Sequence, residues 1–240
     1  MISDEWGCIR EHPALARYRL IRYRRRGYGG SVAHNGPFSL AQQASDALGV
    51  LTHFGLDRAH VVGHSYGGCT ALQLAIQSPD SIHSLALLEP PIPVLPSAAA
   101  LADVMAPAAV SYMSGDKAAT VTALLAGLGG DDARQAIDKT LPGDWFDRAM
   151  TDVGSSLEVE GPALGEWMIS DKDLAGISQP ALTVVGAESI PWLQESVAWL
   201  SDHLPNAETF KLPAAGHMLH MIDPDGMATA IGAFFGRHPL

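Results

Sequence analysis

Ser65 sits at the centre of Val61-Val62-Gly63-His64-Ser65-Tyr66-Gly67-Gly68. This is a G-x-S-x-G run with two β-branched residues before it and an apolar-rich stretch, Cys69 to Ile76, after it. The pattern predicts a strand, a sharp turn and a helix. Gly63 and Gly67 are expected to lie close together across that turn, where a Cβ would collide. Such a strained turn lifts a serine Oγ clear of the backbone. The helix start would aim free N–H groups and the positive end of the helix dipole at an oxyanion forming there. The competing reading is an ordinary glycine-rich strand-to-helix turn, which the flanking strand and helix signals disfavour. A serine hydroxyl is a poor nucleophile without an imidazole base, itself oriented by a carboxylate. Of ten histidines, His217 fits the base best: it lies late in the chain, in the loop Pro213-Ala214-Ala215-Gly216-His217 that follows a strand. His220 is three residues on and could equally face the core. His217, His220 and Asp223 could together hold a metal only with further ligands, so no metal is expected. His64 is expected to point away from the nucleophile, toward the sheet interior.

The elements that must position these groups follow from periodicity. Tyr18 to Tyr23 alternates with arginines (Arg17, Arg19, Arg22, Arg24, Arg25 and Arg26) and reads as a strand with a charged rim. Gly27 to Ser31 is a loop. Ser39 with Gln42 resembles a capping box before an apolar helical stripe, Leu40 to Phe54, stopped at Gly55. A strand at Ala59 to Val62 leads into the serine turn and its helix, which ends before Ser78-Pro79. Ile82 to Leu88 is a second apolar strand, closed by Glu89-Pro90-Pro91. Strand, helix and strand at this spacing imply a right-handed parallel unit. Between 92 and 170 no strand is evident. Prolines at 93, 96 and 107 and helix-start signals at Asp116, Asp131 and Pro142 mark a helical insertion able to serve as a lid. Trp145, Phe146, Trp167 and Met168 would either line a pocket or pack the lid onto the body. The parallel pattern resumes at Pro180 to Gly186, followed by a helix from Trp192 to His203 and a strand from Glu208 to Leu212. A last helix starts at Asp223-Pro224, with Met227, Ala230, Ile231, Phe234 and Phe235 facing inward. The expected fold class is therefore α/β, a mostly parallel sheet flanked by helices. Residues 1–91 and 171–240 would form the body and 92–170 the insertion.

Composition narrows the function. A hydrophobic content of 47% is enough for a sizeable core. The net charge of −11 argues against nucleic acid and anionic membranes as partners, and leaves the arginine cluster to the strand reading. Oligomeric state is not legible. Only Cys8 and Cys69 are present, so a reducing cytoplasm is expected. Met1 to Arg10 contains Asp4 and Glu5 and lacks the apolar centre of a signal peptide. No apolar run approaches the ~20 residues of a membrane helix.

Taken together, Arg26-Gly27-Tyr28-Gly29-Gly30-Ser31, the Gly63 to Gly68 turn, Pro180 to Gly186 and Gly216-His217 make the chain resemble the α/β-hydrolase fold family, in its lidded members with a Gly-His-Ser-x-Gly turn. The resemblance runs from about Ser3 to the C-terminus. It implies Ser65 as nucleophile, His217 as base and the Tyr66 backbone N–H as one oxyanion donor. Two departures stand out. The family's usual acid, an Asp three residues after the glycine closing the penultimate strand, is replaced by Ser189. The nearest carboxylate there is Glu188. Some relatives place the acid after the strand that follows the nucleophile helix, where Glu89 stands. Position favours Glu89, with Glu188 the alternative. The second departure is at the start: the early strands and the His-Gly loop that supplies a second oxyanion N–H have no counterpart, which would leave an apolar sheet edge. The expected activity is hydrolysis of a small, fairly apolar ester or lactone without a cofactor. A serine at the turn disfavours epoxide and haloalkane chemistry. Carbon–carbon bond hydrolysis and cofactor-free haloperoxidase-like chemistry would use the same residues. A non-catalytic ligand-binding protein, or an inactive truncated hydrolase, is the alternative from another class.

Overall fold

In the computed structural model, described for all residues except 1, 3, 33–37 and 131–132, four parallel strands stand in the order β1-β2-β3-β4. They are β1 (Ala59–His64), β2 (Ile82–Leu88), β3 (Ala181–Gly186) and β4 (Ala207–Leu212). The apolar runs of β2 and β3 suit inner parallel strands, which are covered on both faces, whereas the edge strand β4 exposes Glu208, Thr209 and Lys211. The pleat sends Leu85 and Leu87 of β2 to one face, where they meet helices α1 (Leu40–His53) and α2 (Tyr66–Gln77). Ala86 and Leu88 face the other way, onto the last helix of the chain and the two short N-terminal turns at Glu5–Cys8 and Pro13–Leu15.

Local signals explain the boundaries. The Ser39 Oγ accepts the Gln42 N–H at 3.2 Å and so caps α1, and Gly55 follows in the left-handed region at φ 66°. Between β2 and β3 the chain is helical: α3 (Leu101–Met113), α4 (Lys117–Gly129), α5 (Ala133–Thr140), α6 (Trp145–Gly154), a π turn at Ser155–Glu160, α7 (Gly161–Gly165) and α8 (Asp171–Ala175). Asp116 caps α4 through the Ala119 N–H. The helix-start signal at Asp131 lies outside the described residues. Helices α3 to α6 share an apolar cluster with Met218 and Met221 of the body. The chain then closes with α9 (Pro191–His203), α10 (Leu219–Ile222) and α11 (Pro224–Arg237), the last capped by Asp223 through the Gly226 N–H. Among the described residues no helix is long and apolar enough to cross a membrane.

One sequence expectation is corrected. Tyr18 to Tyr23 forms no strand: among the described residues no strand pairs with it, and Leu20 and Tyr23 remain exposed. Its arginines are instead engaged by side chains. Arg22, Arg24 and Arg148 converge on Asp4, Arg25 pairs with Glu160 and Arg26 with Asp46. Of the two alternatives left open for the aromatic residues of the insertion, the structure shows packing. Trp145 and Trp167 are buried in apolar clusters, Phe146 packs against one of them, and Met168 is exposed.

Candidate active site

The serine turn forms at the carboxyl end of β1, where ligands gather in parallel sheets. Ser65 takes φ 52° and ψ −127°, a conformation that few side-chain-bearing residues adopt and that tertiary contacts must enforce. A Cβ on Gly63 would overlap the Gly67 carbonyl, so Gly63 permits the close approach. The second crowded glycine is Gly68, whose Cβ would meet the Pro90 side chain at 2.9 Å. Gly67, expected to be crowded, would meet only the Arg25 guanidinium, at 3.7 Å.

The His217 Nε2 lies 3.0 Å from the Ser65 Oγ, and its Nδ1 lies 2.8 Å from Glu89 Oε2. The other Glu89 oxygen accepts the Gly186 N–H at 2.7 Å. Glu89 is fully buried and holds φ 45° directly after β2, which swings its carboxylate across the end of β3. Gly186 is what allows the histidine loop in: a Cβ there would overlap the Ala215 carbonyl. Burial alone would raise the Glu89 carboxyl, but the hydrogen bond and charge of His217 hold it below its ordinary value. Burial pushes His217 below its ordinary value despite Glu89, so the ring is neutral near neutral pH. With Nδ1–H donated to the carboxylate, Nε2 is left free to accept the serine proton.

Above Ser65 opens a cavity of about 700 Å³. Pro91, Pro93, Leu95, Met105, Leu124, Leu128, Leu164 and Trp192 make most of its wall apolar. A polar group faces it from the side. The buried Glu160 accepts from Arg25 Nε at 2.9 Å and from the Tyr28 hydroxyl at 2.6 Å, and Arg25 lies over the Tyr66 ring. Two further bonds fasten the glycine loop to the insertion, from the Gly29 N–H to Asp152 and from the Ser155 hydroxyl to the Gly27 carbonyl.

A profile described as "alpha/beta hydrolase fold" matches residues 1–224. The chain belongs to the alpha/beta hydrolase fold family. Within it, the chain is 41% identical over 73 residues to a Caulobacter vibrioides protein named as a carbamate hydrolase, RutD. That alignment covers 30% of this chain and 27% of the relative, so the chain matches less than a third of the relative's length. Two solved structures are similar in fold. A thermophilic esterase from Thermogutta terrifontis aligns at TM-score 0.83 and 20% identity, covering 100% of this chain and 87% of that one. An enol-lactonase from Burkholderia xenovorans LB400 aligns at TM-score 0.79 and 23% identity, covering 98% and 86%.

Of the residues singled out from sequence in this member of the alpha/beta hydrolase fold family, the structure joins Ser65, His217 and Glu89. Glu188 is exposed and is not the carboxylate that His217 bonds. Tyr66 opens α2, so its N–H is among those with no acceptor inside the helix. His64 sits against the base: its Nε2 donates to the His217 carbonyl at 2.8 Å, its ring lies 4.7 Å from the His217 ring, and it borders the same cavity as Ser65. Asp223 serves as a helix cap rather than joining His217 and His220. Glu160 went unseen in the sequence, and Arg25 and Gly186 were named there without these roles. They are far apart along the chain, and no local pattern marks them.

Proposed function

We propose that the chain is a serine hydrolase that opens a small, fairly apolar ester or lactone through an acyl-enzyme on Ser65. The observation that carries this reading is the hydrogen-bonded line from the Ser65 Oγ through His217 to Glu89, placed at the floor of an apolar cavity. Ser65 Oγ attacks the substrate carbonyl as His217 Nε2 takes its proton. Glu89 keeps the ring in the tautomer that can accept it and stabilises the imidazolium that forms. The oxyanion is held by the Tyr66 N–H and the positive end of α2. His217 then returns the proton to the leaving alkoxide. Water, activated in turn by His217, attacks the acyl carbonyl and releases the acid and Ser65.

The apolar wall favours a hydrocarbon acyl group, and residues 92–170 act as the lid over it. The name of the RutD relative brings carbamates into view as substrates, since their carbonyl undergoes the same attack. A fluorophosphonate probe provides the test. Covalent labelling of the wild type, absent in Ser65→Ala, is the expected result, together with turnover of short-chain p-nitrophenyl esters. A folded wild-type chain that resists the probe would instead favour a ligand-binding protein.

A further inference from the structure

Beside the nucleophile, at the edge of the same cavity, lies a second cluster that the hydrolytic reading does not use. Glu5, His64 and His220 bring a carboxylate and two imidazoles together, with one ligand atom from each within 4.8 Å of the others. His220 is fully buried, and neither of its ring nitrogens has a hydrogen-bond partner. An imidazole buried in that state forfeits the hydrogen bonds it made to water, and such a group calls for an explanation. Its ring stacks on Trp6 at a centroid distance of 4.4 Å, which fixes the plane of the ring.

The His64 contacts point the same way. Its Nε2–H is donated to the His217 carbonyl, which leaves Nδ1 directed at Glu5 Oε2, 3.3 Å away. A metal-binding histidine commonly gives its second N–H to a backbone carbonyl in this manner, which orients the ring and sets the tautomer. Glu5 is only partly covered and borders the groove between residues 17–25 and β1, so an ion has a path in and room for a water ligand.

From this geometry we infer that Glu5, His64 and His220 form a binding site for a divalent transition metal, with water completing the shell. Two imidazoles and one carboxylate suit zinc or cobalt; hard cations such as calcium prefer all-oxygen sets. Bound there, the ion ties the Glu5–Cys8 turn to β1 and to α10, which directly follows the loop carrying His217.

The test uses chelator-treated, full-length protein titrated with Co²⁺ and then Zn²⁺. The expected result is one equivalent of Co²⁺ with visible absorption typical of four- or five-coordination, displaced by Zn²⁺. Trp6 emission should be quenched by Co²⁺, and Trp6→Phe should remove that share of the quenching. Saturating Zn²⁺ should raise the melting temperature. Glu5→Gln and His220→Phe, the second retaining an aromatic partner for Trp6, should each weaken Co²⁺ binding more than about tenfold. Wild-type protein that binds no Co²⁺ would overturn the site, as would binding that survives in Glu5→Gln. Glu5 lies near the surface, so this variant remains informative if His220→Phe fails to fold.

Discussion

Two carboxylates competed for His217 in the sequence, and the positions of Glu89 and Glu188 along the chain could only rank them. The structure separates them through backbone conformation. Glu89 adopts φ 45°, and this turns its side chain toward the ring. No sequence pattern announces a left-handed glutamate, so the choice became legible only with coordinates. Glu89→Gln is expected to lower kcat about a hundredfold or more, because an amide no longer favours the productive tautomer or the imidazolium. Glu188→Gln should leave kcat within about twofold. Steady-state kinetics on a p-nitrophenyl ester distinguishes them, and the opposite pattern would reverse the assignment. The glycines allow a second comparison. Gly63→Ala drives a methyl into the Gly67 carbonyl and is expected to destabilise the fold by about 2 kcal/mol or more. Gly67→Ala meets only ordinary contact with Arg25, so its denaturation midpoint should move much less.

At the scale of elements, the four strands and the helices around the serine turn were readable because their apolar runs and caps are local. The expected strand at Tyr18 to Tyr23 was not. Its alternation is genuine, but a strand also needs an edge to pair with, and among the described residues none is hydrogen-bonded to it. The helical character of 92–170 was visible, whereas its attachment to the body was not, because that depends on pairs more than a hundred positions apart. Arg25 with Glu160 is the central one, at 2.7 Å and mostly buried. Glu160→Gln leaves the Arg25 guanidinium buried without its counter-charge and loosens the Tyr28 hydroxyl as well. The expected loss is about 3 kcal/mol in denaturant unfolding. A shift of a few tenths would mean that the insertion is held by apolar packing alone.

Across the whole molecule, burial holds three histidines, His60, His217 and His220, below their ordinary values, and that links stability to pH. His60 on β1 is the clearest case. Its ring stacks on Phe235 at 4.2 Å, its Nδ1 bonds the Ser84 hydroxyl at 2.7 Å, and Tyr18, His83 and His238 surround it. Burial first, then the charges of His83 and His238, bring it from its ordinary 6.5 to about 4. Above pH 6.5 the group is neutral whether folded or unfolded and adds no slope. Between 6.5 and about 4 the unfolded chain takes up a proton that the folded chain refuses, so stability falls as pH falls through this window. Below about 4 both forms are protonated and the loss is complete. His217 and His220, also held low, act in the same direction, whereas His64, held high by Glu5, opposes them. The net wild-type slope is therefore a sum, and His60 must be isolated by substitution. Urea midpoints for wild type and His60→Gln at about pH 7 and about pH 5 achieve this, since glutamine can keep the Ser84 bond but cannot titrate. The variant should lose less stability between the two pH values than the wild type does. Equal losses would show that the His60 ring is protonated in the folded state as readily as in the unfolded one, and that its stack on Phe235 does not exclude the charge.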